Sequence, residues 1–119
     1  MIVGLGIDLV EIERIKRAME NPRFVQRILT PLEREYAVTP YQVAGRWAAK
    51  EAITKAVGLK LRWHQIEILP NEMGEPTVDV KSTDYDLKRM RIKVSISHER
   101  THAVAVAILE RIVIQTPIY

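Results

Sequence analysis

The hydrophobic positions of this chain change period along its length. Residues 2–8, IVGLGID, are apolar almost without a break and read as a buried strand ending in one carboxylate, Asp8. From residue 10 to residue 20 the spacing becomes three and four. Ile12, Ile15 and Met19 recur among Glu11, Glu13, Arg14, Lys16 and Arg17, the pattern of an amphipathic helix. Asn21-Pro22 stops it, and residues 23–30 form a second short helix with Phe24, Val25 and Ile28 as its apolar contacts. Thr30-Pro31-Leu32-Glu33 is a helix start, with Thr as N-cap, Pro in the first turn and Glu at the capping-box position. Thr39-Pro40 opens a further helix, the longest, which runs to Val57 and is closed by Gly58.

The second half alternates instead. Residues 65–69, 76–80, 92–97 and 102–110 read as strands, with a turn at 71–76 between the first two. The short connection 98–101 makes the last two a hairpin, and residues 82–90 hold a short helical turn. The apolar tail 112–119 fits neither pattern and suggests an interface strand. The expected fold class is α+β: one mostly antiparallel sheet with helices on one side, among them one long Ala-rich helix.

Composition narrows the field. A chain of 119 residues suits one domain, 1–119. There is no cysteine, so disulfides and thiolate metal sites are excluded. No apolar run approaches a membrane span, and the first residues lack a basic signal-peptide region, so the expectation is a soluble cytoplasmic protein with no membrane partner. The net charge of +3 is only mildly basic, and a single Phe with no basic–aromatic interleaving argues against nucleic acid.

Candidate chemistry concentrates in AGRWAAKEAITKAVG, residues 44–58. Its alanines favour a helix thin enough to pack closely on a sheet. Glu51 and Lys55 are four apart and share a face with Trp47; Arg46 and Lys50 are four apart on a neighbouring face. Taken alone these are a solvated ion pair and two surface cations, and Asp8 alone is a cap for the helix that follows it. Taken together, Asp8 and Glu51 are two carboxylates of the kind that hold Mg²⁺. Arg46, Lys50 and Lys55 would then meet phosphate charge. Gly4 and Gly6 lack the third glycine of a dinucleotide fingerprint and instead allow close approach of another backbone. In VSISH, residues 94–98, Ser95 and Ser97 face away from the core and His98 stands at the strand end, as a phosphate donor, a general base or an ordinary loop histidine. His98-Glu99-Arg100-Thr101-His102 has the H-E-x-x-H spacing of zinc sites, but it falls in the hairpin connection rather than on a helix, so a zinc site is not expected. Arg14 and Arg17, and Arg23 and Arg27, form pairs that are either solvated faces or a docking patch for an acidic partner. A non-catalytic basic α+β module that binds an acidic protein partner is therefore the alternative to an enzyme.

Three blocks, GIDLVEIERI (6–15), GRWAAKEAITKA (45–56) and VSISHERTHAVAVAIL (94–109), resemble the signature blocks of the small 4′-phosphopantetheinyl transferases, in the same order. The resemblance implies a single domain of that family that transfers phosphopantetheine from coenzyme A to a serine of an apo acyl carrier protein, releasing 3′,5′-ADP. It implies Mg²⁺ ligation by Asp8 and Glu51 and a catalytic role for them with Lys55. Arg46, Lys55, Pro76, Ser97 and His98 would bind coenzyme A, with the 71–76 turn near the adenine across a subunit boundary. Arg14, Arg17 and Arg23 would receive the carrier's acidic helix, and the assembly would be a homotrimer. The base that deprotonates the serine stays open among a metal-bound water, Glu51 and His98. Two positions depart from the family pattern: Gly58 is followed by Leu59-Lys60-Leu61-Arg62-Trp63 rather than by glycines, and His102 stands where Tyr is common.

Overall fold

The computed structural model describes residues 1–112. Strand β1 (Ile2–Glu11) leads into helices α1 (Ile12–Ala18), α2 (Pro22–Ile28), α3 (Glu33–Tyr36) and α4 (Pro40–Val57). A 3₁₀ turn (Trp63–Gln65), β2 (Ile66–Pro70), β3 (Pro76–Val80), α5 (Tyr85–Lys88), β4 (Met90–His98) and β5 (His102–Arg111) follow. The class is α+β, with every strand pair antiparallel. The strands form two sheets rather than the expected one. β1, β5 and β4 make a three-stranded sheet in that order, and β2 with β3 makes a separate hairpin. β3 runs beside β4 without pairing to it. Pro76, which has no N–H to give a ladder, and the charged Arg91 and Lys93 line the gap of about 630 Å³ between them.

The long helix behaves as its sequence dictates. Thr39 and Gln42 exchange capping-box hydrogen bonds, Pro40 occupies the first turn, and Gly58 ends the helix at φ 77°. Ala48, Ala49 and Ala52 are fully buried against Ala103, Ala105 and Ala107 of β5. Small side chains on both surfaces let the backbones approach, and at β1 they nearly touch. A Cβ on Gly6 would lie 1.9 Å from the Ala52 carbonyl oxygen, and one on Gly4 would lie 2.1 Å from that of Ala56.

That contact turns Gly4, Gly6 and Asp8 toward α4, because side chains alternate along a strand. The other face of β1 is open. Leu5, Ile7 and Leu9 are each more than 60% exposed, so the expectation of a strand buried on both sides is corrected. β1 also runs three residues further than expected and α1 starts at Ile12, because the pairing with β5 continues to Glu11↔His102.

Ile12 and Ile15 of α1, with Ile28 and Leu29 at the end of α2, complete the core. The capping box at Thr30 forms: Glu33 N–H donates to Thr30 Oγ1 (3.2 Å) and Thr30 N–H donates to Glu33 Oε1 (2.8 Å). The 98–101 connection closes on Glu99, whose carboxylate accepts from Thr101 and His102 N–H. Of the apolar tail only Ile112 lies within the described residues; its N–H donates to the Arg89 carbonyl (2.9 Å).

Candidate active site

Asp8 sits inside β1, opposite Ala105, and caps no helix; the residue before α1 is Glu11, which makes no side-chain cap. The orientation forced by the Gly4–Gly6 approach carries Asp8 to the flank of α4 where Trp47, Glu51 and Lys55 stack at four-residue spacing. Lys55 Nζ lies 3.3 Å from Asp8 Oδ1 and donates to the Ile7 carbonyl at 2.9 Å. The lysine thus pairs with the strand carboxylate rather than with its helical neighbour Glu51. Glu51 is half-buried. Burial raises its pKa, and the Asp8 charge raises it further; Lys55 and Arg14 act in the opposite sense. A half-buried carboxyl raised by a neighbouring carboxylate is a donor set that a hard divalent cation would suit. Among the described residues no group of three or more His, Asp or Glu side chains could hold a metal alone.

Arg46 and Lys50 go elsewhere. At 3.6 residues per turn Arg46 lies about 140° from Glu51 and about 180° from Lys55 around the helix axis. Arg46 lines a cleft of about 260 Å³ on the β4 side with Tyr41, Gln42, Pro76 and His98. The Tyr41 and His98 rings are 5.2 Å apart. Burial pulls the Arg46 pKa down, partly offset by Glu33, and its Nε is buried without a hydrogen-bond partner among the described residues. Of the sequence-predicted coenzyme-binding residues, Arg46, Pro76 and His98 therefore meet in one cleft. Ser97 is exposed on the opposite face of β4, opposite Val104.

Lys50 is corrected from a phosphate-facing surface cation to a buried structural one. Only 1% exposed, its Nζ donates to Glu33 Oε1 (2.6 Å), Ile28 O (2.7 Å) and Trp63 O (2.9 Å). Burial pushes its pKa down, and Glu33 counteracts this. Glu33 Oε2 also accepts from Ile68 N–H (2.9 Å), and Thr30 Oγ1 donates to Glu67 Oε2 (2.6 Å). Sequence reading saw Glu33 only as a cap; a carboxylate followed seventeen positions later by a lysine in an alanine-rich helix gives no periodic signal of pairing.

Arg14, Arg17 and Arg23 lie together near the start of the helical half. The Arg14 guanidinium sits 5.8 Å from the Trp47 ring centroid, which brings it toward Glu51. Arg17 stays close to Glu13 (3.7 Å) and, with Arg23, lines one groove. Sequence reading missed the aromatic run behind them: Phe24–Trp47 (5.8 Å) and Trp47–Trp63 (4.6 Å).

A strand–helix contact that presents two carboxylates and a lysine, with a separate cationic cleft, has the chemistry to meet phosphate groups. Known proteins give the class a family. The family model described as the 4′-phosphopantetheinyl transferase superfamily matches residues 4–107. A holo-[acyl-carrier-protein] synthase of Exiguobacterium sp. is 45% identical, over 92% of this chain and 93% of its own. The crystal structure of a holo-(acyl-carrier-protein) synthase from Bacillus anthracis in complex with CoA (3′,5′-ADP) superposes with a TM-score of 0.80 at 37% identity, covering 93% of this chain and 98% of that one. The Helicobacter pylori holo-[acyl-carrier-protein] synthase in complex with coenzyme A gives a TM-score of 0.81 at 30% identity, covering 89% and 99%. This chain belongs to the 4′-phosphopantetheinyl transferase superfamily.

Proposed function

We propose that the chain is a single-domain, Mg²⁺-dependent holo-[acyl-carrier-protein] synthase. It moves the 4′-phosphopantetheine group of coenzyme A onto a serine hydroxyl of an apo acyl carrier protein. The serine oxygen forms a bond to the phosphorus that carries pantetheine, the bond from that phosphorus to the bridging oxygen breaks, and 3′,5′-ADP leaves with the electron pair. The serine proton passes to a base, for which Glu51 and His98 are the candidates within the chain. The observation that carries the reading is the convergence of Asp8, Glu51 and Lys55 on one flank of α4 from opposite ends of the first half of the sequence.

Asp8 and Glu51 would hold the Mg²⁺. When bound, that ion supplies charge neutralisation to the diphosphate. Lys55, already within 3.3 Å of Asp8, opposes the charge that develops on the transferring phosphoryl group. Arg46 and His98 take the nucleotide's phosphates, Pro76 borders the adenine, and Ser97 adds a donor from the outer face. Arg14, Arg17 and Arg23 receive the acidic carrier.

The catalytic flank lies at the β1 edge of the sheet and the nucleotide cleft at the β4 edge, with β5 between them. Following the family resemblance, we assign a homotrimer whose sites form between neighbours. The exposed apolar face of Leu5, Ile7 and Leu9, continued by Val104, Val106 and Ile108, supports that assembly. Among the described residues no helix is long and apolar enough to cross a membrane, and we place the protein in the cytoplasm.

Asp8→Ala and Glu51→Ala distinguish the enzyme from a binding module. The transferase reading expects turnover lost with the carrier still bound. Undiminished transfer in either variant contradicts the site.

A further inference from the structure

The residues that follow α4 carry a pattern that the catalytic flank leaves unused. Exposure alternates there: Lys60, Arg62 and His64 are exposed, while Leu61 and Trp63 are half-buried. The backbone at Arg62 is extended, at φ −77° and ψ 152°, so neighbouring side chains diverge. Trp63 stacks on Trp47 at 4.6 Å, and His64 Nε2 lies 2.8 Å from the Gln26 carbonyl, which ties the segment to α2. The result is a groove of about 730 Å³ with Leu61 and Trp63 in its lining and Arg27, Lys60 and Arg62 among its cations. Arg27 also lines the neighbouring groove of about 530 Å³ that holds Arg17, Arg23 and Phe24, so the two grooves border the same arginine. Among the described residues no carboxylate lines either one. Among the described residues none of Arg23, Arg27, Lys60 and Arg62 forms an ion pair. Exposed cations over an apolar lining, with no acid to offset them, make a positive and partly greasy strip.

We propose that residues 59–64 are a second arm of the carrier-docking face. Lys60 and Arg62 are specificity-determining residues that take carboxylates of an acidic amphipathic helix of the carrier, and Leu61 and Trp63 seat its apolar side. The inference rests on the reading of the chain as a carrier-modifying transferase. The chemistry of the groove selects the occupant. Cations around an apolar lining match an acidic amphipathic helix. A single nucleic-acid strand would need open aromatic faces, whereas Trp63 and Trp47 cover one another.

The test is steady-state transfer by the full-length Lys60→Glu/Arg62→Glu variant, with apo carrier protein and coenzyme A varied in turn. The carrier KM is expected to rise roughly tenfold, the scale on which lost charge steering slows encounter. The coenzyme A KM and the kcat at saturating carrier stay within about twofold of native. Lys60→Gln/Arg62→Gln gives a smaller rise. The single Lys60→Glu variant, further from the Trp63 packing, supplies the same comparison should the double variant lose its fold. An unchanged carrier KM overturns the proposal while the transferase reading stands. So does a shift confined to the coenzyme A KM, or the loss of binding to a labelled single-stranded DNA oligomer at unchanged carrier KM. Native protein that transfers nothing fails the transferase reading first, and the docking arm with it.

Discussion

On the proposed reading, Asp8 and Glu51 place opposite demands on fold and function. The Glu51 carboxyl is held above its ordinary pKa by burial and by Asp8. The folded chain therefore binds a proton that the unfolded chain has released, over the window between the ordinary and the raised value. Stability consequently falls as pH rises through that window and is restored below it. Glu51→Gln removes the penalty without removing volume. Its melting temperature at neutral pH is expected to equal or exceed that of the native chain, while transfer drops roughly a hundredfold or more, the scale of losing one electrostatic group at the reacting phosphate. Calorimetry and turnover on the same preparation check this; a clear loss of stability contradicts the electrostatic reading of the pair. Native activity should also decline on acidification as Glu51 takes up its proton, and a pH–rate profile measures that limb.

At the scale of elements, the β1–α4 contact and the Lys50 network decide where the site residues stand. Gly6→Ala drives a methyl into the Ala52 carbonyl, which is backbone and cannot swing away. The variant is expected to lose about 1–3 kcal/mol or more, read by urea denaturation, together with activity. Lys50→Ala strips the buried Glu33 of its partner cation, at a cost of about 3–5 kcal/mol. Native-like stability in that variant contradicts the buried pair. Much of this scale was legible in the sequence. Alternation located the strands, capping chemistry located the long helix, and the alanines with Gly4 and Gly6 implied close packing. What escaped was pairing at a distance. Alternation marks a strand but not its partner, so the β2–β3 hairpin merged with the main sheet. A lysine on a helix reads the same whether it meets water or Glu33. The nearness of Asp8 to Glu51 was legible only because two carboxylates in distant segments suit one chemical task.

For the whole molecule, the exposed apolar face of the main sheet is the strongest statement about assembly. Leu5, Ile7 and Leu9 stand exposed beside Val106 and Ile108, an apolar patch bordered by Glu11, His102 and Glu110 at the strand ends. Ile7→Lys places a charge at its centre and is expected to shift the native species to monomer, measured by light scattering on a sizing column, with transfer lost although Asp8, Glu51 and Lys55 are untouched. A monomeric variant that retains full activity contradicts sites shared between chains.

The measurement closest to the central claim is mass spectrometry of an apo acyl carrier protein incubated with the full chain, coenzyme A and Mg²⁺. The expected result is a mass gain of one phosphopantetheine group on the carrier serine, with 3′,5′-ADP released, and no gain when Asp8→Ala replaces the native chain. An unmodified carrier with coenzyme A intact contradicts the transferase reading, and equal modification by native and Asp8→Ala protein contradicts the carboxylate pair as its site.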